Sequence, residues 1–212
     1  MRYAPAASSA EVALDRIAAD ARACHVCDLP FGPRPVFRVS ATARLLIIGQ
    51  APGAKVHATG IPWNDASGNR LRRWLHVERE VFYDPRRIAI VPMGFCYPGR
   101  MPNGGDAPPR RECAPLWHNR LIGMMPNIRL TLLVGSYAQA FVLGRGSMTE
   151  RVRGFRDYLP DRFPLPHPSW RTTGWERNNP WFEAEALPVL RQAVGGILGG
   201  ESEPVFLPAT TT

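Results

Sequence analysis

Four short runs of apolar residues recur along the chain, separated by longer stretches in which polar and apolar residues alternate. The runs cover residues 44–49 (RLLIIG), 88–93 (IAIVPM), 130–135 (LTLLVG) and, more briefly, 163–167 (FPLPH). A continuous apolar run is typical of a strand that is buried on both faces of a parallel sheet. We therefore predict a strand in each run.

Apolar residues with helical spacing lie between and outside these runs. A first helix is predicted from Ser8 or Ser9 to about Ala23, and a second over residues 67–77, with Ser67 as its cap. Further helices are predicted at about 110–124, 136–144 and about 181–198. Strands that alternate with helices predict an α/β fold, here a three-layer sandwich with a central, mainly parallel four-stranded sheet. We assign residues 1–198 to this single domain and residues 199–212 to a flexible tail.

Three loops that follow predicted strands contain residues suited to binding. GQAPG follows the first strand, PMGFC ends the second, and HPSW follows the fourth. Ligands of such sheets bind beyond the carboxyl ends of the strands, so the three loops are predicted to form one site. The first loop matches neither GxxxxGK[ST] nor GxGxxG, so its ligand is not predicted by those motifs.

Composition narrows the class of partner. The formal net charge is +8 and the pI is near 10, which favours an anionic partner such as nucleic acid. Lys55 is the only lysine among the 26 Lys and Arg residues. A preference for arginine is also typical of whole proteomes, so the net charge supports a nucleic-acid partner but does not establish one. No apolar run approaches the roughly 20 residues that span a bilayer, and acidic residues interrupt the N-terminal segment where a signal peptide needs an apolar core. We expect a cytoplasmic protein without a membrane partner.

The four cysteines are candidate metal ligands. Cys24 and Cys27 form a C-x2-C pair, and Cys96 and Cys113 bracket a later loop. Disulfides are not expected in a cytoplasmic chain. Four thiolates suit either a [4Fe–4S] cluster or a structural zinc ion, whereas the simpler alternative is four buried structural thiols.

Taken in order, these motifs resemble the uracil-DNA glycosylase superfamily, and most closely its family 4 enzymes, which carry an iron–sulfur cluster. GQAPG resembles that family's G-E-A-P-G loop, GIPW its G-x-P-F, and HPSW its H-P-S motif, while SGNRLRRWL is similar to its following helix. The loop from Cys96 to Cys113 is similar to the family's cluster loop. The resemblance extends from Cys24 to about Leu190 and implies a [4Fe–4S] cluster and a DNA substrate.

The resemblance also implies how a base would be held. A glycosylase takes the base out of the stack into a tight pocket. The GQAPG loop, including Ala51, would bring backbone N–H groups to the base carbonyls, and Trp63 would stack on the base. His167 would stabilise the anion left on the base when the N-glycosidic bond breaks.

Four residues are expected to contact the DNA strand. Ser67, at a helix N-terminus, would hold a phosphate. Trp170 and Arg171 would fill the gap left by the flipped nucleotide, with Ser169 of the H-P-S motif beside them.

Three positions differ from the family pattern, and one of them is Trp63, which stands where the family has a phenylalanine. Gln50 stands where the family has an acidic residue that orients the attacking water, and an amide can position water but cannot act as a carboxylate base. Pro92 stands where the family has an asparagine that reads the uracil edge. With Met93 next to it, this wall of the pocket is predicted to be apolar.

Other residues are candidates for the missing groups. Asp65 is the candidate replacement carboxylate, and Asn64 or Gln139 is the candidate replacement amide.

We therefore expect a monomeric, monofunctional DNA glycosylase of base excision repair, associated with the nucleoid, which excises uracil or another deaminated base by hydrolysis. The alternative is a non-catalytic or very slow DNA- or nucleotide-binding member of the superfamily. A third possibility, an enzyme that acts on free nucleosides, fits the pocket but not the predicted wedge of Trp170 and Arg171.

Overall fold

The computed structural model describes residues 9–102 and 104–199. The predicted flexible tail, apart from Gly199, lies outside these residues. No helix within the described ranges is both long and apolar enough to cross a membrane.

All four apolar runs form strands of one parallel sheet, which confirms the predicted fold class. The strands are β1 (Leu45–Ile48), β2 (Ile88–Ile90), β3 (Leu130–Val134) and β4 (Arg162–Leu165). Their order across the sheet is β2-β1-β3-β4, and each neighbouring pair is parallel. Each strand is shorter than its apolar run because the last residues of the run turn into the loop that follows.

The proline-containing strand β4 lies at the edge of the sheet. Pro164 is paired with Leu133 of β3, and a proline is tolerated there because an edge strand needs backbone donors on one side only. The strand ends at Leu165, directly before Pro166. This position explains how a run with two prolines, FPLPH, still forms a strand.

Helices cover both faces of the sheet. The described helices are α1 (Ser9–Arg22), α2 (Ala54–Thr59), α3 (Ala66–Leu75), α4 (Arg79–Phe82), α5 (Cys113–Ile122), α6 (Ser136–Leu143), α7 (Met148–Arg153), α8 (Thr172–Asn178) and α9 (Leu187–Gly199). The helix predicted at 181–198 is a π-helical turn over Phe182–Ala186 that continues into α9. The short helices α2, α4, α7 and α8 were not predicted, because each is too brief to show a helical period.

Alternation along the strands divides the core into two layers. Leu45 and Ile47 of β1 pack with residues of α3 and α9 on one face, whereas Leu46 and Ile48 pack with α1 and α5 on the other. Successive residues of a strand point to opposite faces, so each face of the central strand is buried. Full burial of one such side chain contributes roughly 1.5–3 kcal/mol to the free energy of folding. The two layers together fix the carboxyl ends of the strands, where the connecting loops begin.

Candidate active-site cleft

A cleft of about 600 Å³ opens beyond the carboxyl ends of the strands. Its volume lies within the range of about 300–1,000 Å³ that is usual for small-molecule sites. The cleft brings together most of the predicted site residues, which are Gln50, Ala51, Trp63, Asp65, Ser67, His167, Ser169, Trp170 and Arg171. Residues from the loops after β1, β2 and β4 therefore share one site, as the topology predicted.

The floor of the cleft is fixed by backbone hydrogen bonds that continue the parallel ladder past the strand ends. The Met93 N–H donates to the Gly49 carbonyl and the Gly94 N–H to the Gln50 carbonyl, both at 2.9 Å. A Cβ at Gly94 would lie 3.1 Å from Cβ of Pro109, which is closer than an ordinary van der Waals contact, so the backbone is tightly packed at this point. The GQAPG loop is thus held against the loop after β2.

Trp63 is held in place by two glycines and a tyrosine. Its φ of 57° lies in the left-handed region, which is uncommon for a residue with a side chain. Its carbonyl accepts a hydrogen bond from the Tyr83 hydroxyl at 3.1 Å and packs so closely on α3 that a Cβ at Gly68 would lie 1.7 Å from the carbonyl oxygen. A Cβ at Gly49 would lie 2.7 Å from the indole atom Cζ2, so the ring lies directly on the loop after β1.

His167 stands beside this indole. The two ring centroids are 5.7 Å apart and their planes are inclined by 33°. Burial lowers the pKa of His167, and the charge of Asp65 opposes that shift. At neutral pH the imidazole is therefore uncharged and has one N–H to donate.

The N-terminus of α3 is capped differently from the prediction. The Asp65 carboxylate, not Ser67, is the cap, and its Oδ1 accepts from the Gly68 N–H at 2.8 Å. Ser67 is the second residue of the helix, so its side chain is past the capping position, although it still lines the cleft. Asp65 is a better N-cap than the sequence suggested because a carboxylate both accepts the N–H and complements the helix dipole.

The HPSW loop projects a tryptophan into solvent from a fixed base. Trp170 is 78% exposed, and the Arg171 guanidinium lies 5.4 Å from its ring centroid. At the base of the loop, Arg70 donates to the Ser169 carbonyl at 2.6 Å and pairs with Glu176 at 2.7 Å. The loop is therefore anchored to α3 and α8 while its tip stays open.

Three predicted residues do not line the cleft. Met93 belongs to the α1 and α5 side of the core with Val91, while the alternate residues Ile90 and Pro92 face the cleft. The prediction for Met93 was wrong because the period of two continues past the end of β2. Gln139 is fully buried and donates to the Leu165 carbonyl at 2.9 Å.

Asn64 is likewise outside the lining, and its side-chain oxygen accepts from Arg79 at 3.4 Å. Neither Asn64 nor Gln139 supplies the missing amide to the cleft.

Sequence reasoning missed two charged residues of the cleft, Arg100 and Asp106. Both lie in the loop between Cys96 and Cys113 and line the cleft. Asp106 Oδ2 is 3.2 Å from the position that a Cβ on Gly53 would take, so its carboxylate reaches the GQAPG loop. This Gly- and Pro-dense loop has no periodic pattern of apolar residues, and the cysteines at its two ends were the one sequence feature that pointed to a functional role.

A second, smaller cavity is lined by all four cysteines, Cys24, Cys27, Cys96 and Cys113. Burial raises the pKa of the Cys113 thiol to about 12 and also raises the pKa values of Cys27 and Cys96, with the neighbouring cysteines adding to each shift. The Phe95 N–H donates to Cys113 Sγ at 3.3 Å. Within residues 9–102 and 104–199, no group of three or more His, Cys, Asp and Glu side chains is arranged to hold one metal ion.

The chain was compared with known protein families. The family model described as the Uracil DNA glycosylase superfamily matches residues 37–191. The match includes all four strands and every cleft residue named above, as well as Cys96 and Cys113. Cys24 and Cys27 precede it.

Proposed function

Because the chain belongs to the uracil DNA glycosylase superfamily, whose members are generally DNA glycosylases, we propose that it excises uracil or another deaminated base from DNA. It would hydrolyse the N-glycosidic bond and leave an abasic site. The observation that carries the proposal is the adjacency of the Trp63 and His167 rings inside a cleft large enough for one base. Such a pair supplies a stacking surface and a hydrogen-bond donor at one place.

Base binding is assigned to the loops after β1. Stacking of a base on an aromatic side chain is worth about 1–3 kcal/mol, and Trp63 presents its indole from a backbone that Gly68 and Tyr83 hold in place. The backbone of Gln50 and Ala51 lines the same cleft and would offer N–H groups to the base carbonyls. The Gln50 side chain would position water or the base edge.

The chemical step is assigned to His167. When the N-glycosidic bond breaks, its electron pair goes to the base, and a neutral imidazole can donate an N–H hydrogen bond to the resulting anion. The lowered pKa of His167 favours this uncharged donor. The one lysine of the chain, Lys55, does not line the cleft, so we propose a monofunctional glycosylase that does not cut the strand.

DNA contact is assigned to the exposed tip of the HPSW loop and to Ser67. Trp170, with Arg171 beside it, is proposed as the wedge that replaces the flipped nucleotide, with Ser169 at its base, and Ser67 as a phosphate contact. The net charge of +8 favours binding to the DNA backbone. We propose a monomer that works in the cytoplasm on nucleoid DNA.

A [4Fe–4S] cluster is proposed for the cysteine cavity. Four thiols line it, and the Phe95 N–H donates to Cys113 Sγ, a hydrogen bond of the kind that tunes the sulfur ligands of such clusters. A structural zinc ion held by the same four thiolates is the alternative. The cluster would hold the N-terminal segment against the loop after β2, which is a structural role.

The second candidate function is a non-catalytic or very slow DNA- or nucleotide-binding protein. The observations that favour it are Gln50, which is not a carboxylate, and Pro92, which has no hydrogen-bonding side chain. Pro92 lines the cleft, and its carbonyl is already paired with the imidazole Nε2 of His118 at 2.9 Å.

A base-release screen tests the proposal. Single-stranded and duplex oligonucleotides that carry uracil, hypoxanthine or xanthine are incubated with the protein and then treated with alkali, which cuts at abasic sites. Cutting at one modified position, lost in His167→Ala, supports a glycosylase and identifies its base. Tight DNA binding without cutting on any substrate would favour the second candidate.

A further inference from the structure

We infer that Asp106 supplies the catalytic carboxylate that the GQAPG loop lacks, and that it orients and deprotonates the attacking water. This inference rests on the proposed glycosylase function. Asp106 is on a different loop from Gln50, yet both side chains border the same cleft.

The loop that carries Asp106 is closed by its own hydrogen bonds. The Met101 N–H donates to the Gly105 carbonyl at 3.0 Å, and the Ala107 N–H donates to the Gly99 carbonyl at 2.8 Å. Asp106 itself forms an antiparallel bridge with Arg100. The backbone of Asp106 is therefore fixed on both sides, as a catalytic group requires.

The carboxylate is directed at the loop after β1. Its Oδ2 lies 3.2 Å from the position of a Cβ on Gly53, so a larger residue at position 53 would push against it. The buried side chain of Tyr97 lies beside the same carboxylate, and its hydroxyl opposes the rise in the pKa of Asp106. The Asp106 carboxylate therefore lies against Gly53, three residues from Gln50 in the same loop.

Asp106 is better placed for this role than Asp65. One oxygen of Asp65 is engaged as the cap of α3, where it accepts from Gly68 at 2.8 Å. Asp106 is exposed on the cleft wall, so water reaches it directly. The Asp106 carboxylate is therefore in contact with solvent, whereas the Asp65 carboxylate caps α3.

The local charges suit a base that accepts a proton from water. Partial desolvation raises the pKa of Asp106 and the charge of Asp65 adds to the shift, while Arg100 and Tyr97 oppose it. A carboxylate with a raised pKa is a stronger base than an ordinary one. Its negative charge also stabilises positive charge that develops on the sugar.

The step is balanced as a hydrolysis. The water oxygen forms a bond to C1′ of the sugar while the N-glycosidic bond breaks and its electron pair leaves with the base. One water proton passes to Asp106 and the His167 N–H stabilises the base anion, which later takes a proton from solvent. The products are the free base and an abasic site, and no further reactant is needed.

Single-turnover base release from the oligonucleotide that the base-release screen selects tests the inference. We expect Asp106→Asn to slow release by about 10²–10⁴-fold, the usual contribution of general acid–base catalysis, while binding to the same strand remains at least as tight. Asp106→Glu should recover part of the rate because it restores a carboxylate. Asp65→Asn keeps a capping oxygen and should slow release by less than Asp106→Asn does.

Asp161→Asn is the control, because this exposed carboxylate lies at the opposite end of the sheet, next to the start of β4. It should release base at the wild-type rate, and all variants should unfold at the wild-type temperature. An active wild type with an equally active Asp106→Asn variant would overturn the inference alone. A wild type that releases no base from any substrate would remove the proposed function, and the inference with it.

Discussion

The indole of Trp63 and the imidazole of His167 lie 5.7 Å apart between ring centroids, although the two residues are more than 100 positions apart in the sequence. Trp63 follows β1 and His167 follows β4. The strand order β2-β1-β3-β4 places β3 between those two strands, so their loops meet only because all strands end at the same edge. The pairing is a consequence of parallel topology.

This pairing predicts that Trp63 contributes to DNA binding by stacking on the base, and that binding measurements can detect this contribution separately from catalysis. Trp63→Ala should weaken binding to a uracil-containing single strand by about 5- to 150-fold, which corresponds to 1–3 kcal/mol of lost stacking. Trp63→Phe should keep most of the affinity because it keeps an aromatic face. Fluorescence anisotropy with labelled strands measures both variants.

DNA that carries an abasic site is the internal control, since it offers no base to stack. Its affinity should be nearly the same for wild type and Trp63→Ala. Equal affinity of these two proteins for uracil-containing DNA would show that Trp63 does not contact the base.

The contact between Gly68 and the Trp63 carbonyl predicts a stability effect. Gly68→Ala places a Cβ 1.7 Å from that oxygen, so the chain must shift, and we expect a loss of about 3 kcal/mol in the free energy of unfolding. Gly195→Ala, in α9 with open space around it, should instead stabilise by about 0.5–1 kcal/mol. Urea denaturation compares the two, and equal stability of both variants would contradict the packing described for α3.

The two buried histidines predict a pH dependence of stability. Burial lowers the pKa values of His118 and His167 below 6.5, so the unfolded chain binds protons at a higher pH than the folded one. The free energy of unfolding should therefore keep its full value above about pH 6.5 and decrease as the pH is lowered through that value. Denaturation at pH 7.5 and pH 5.5 measures the difference, and His167→Asn should reduce it; a stability that rises on acidification would contradict the burial of both imidazoles.

The cysteine cavity predicts a coloured protein. Anaerobically purified protein should be brown with broad visible absorption, and iron should exceed zinc by elemental analysis. Cys113→Ser should lose most of the iron, because it removes one of the four thiols that line the cavity. Colourless protein with one bound zinc would contradict the cluster and keep the four-cysteine site, and protein free of both metals would leave the cysteines as buried thiols.

Hydrophobic patterning predicted the sheet because a parallel strand that is buried on both faces appears in the sequence as a continuous apolar run. Residues 44–49 and 130–135 became β1 and β3 almost unchanged. The short helices α2 and α8 could not be predicted in this way, since six or seven residues do not define a helical period.

The site was predictable where a residue belongs to a motif at a strand end. His167 and Trp63 were predicted to lie at one site for that reason, and both line the cleft. Asp106 was missed because its loop owes its shape to glycines in the left-handed region, such as Gly99 and Gly105, and only the folded chain shows where such a loop points. Met93 was misplaced because the alternation continues past the end of β2 and directs its side chain to the core with Val91.

Chromatographic detection of the released base is the most direct test of the proposed glycosylase activity. The oligonucleotide selected by the alkali screen is incubated with a stoichiometric amount of wild-type protein or of His167→Ala. We expect one free base per abasic site with the wild type, no strand break before alkali, and a rate lower by at least about 10²-fold in the variant. Intact DNA that stays bound to the wild-type protein, with no free base in solution, would contradict it.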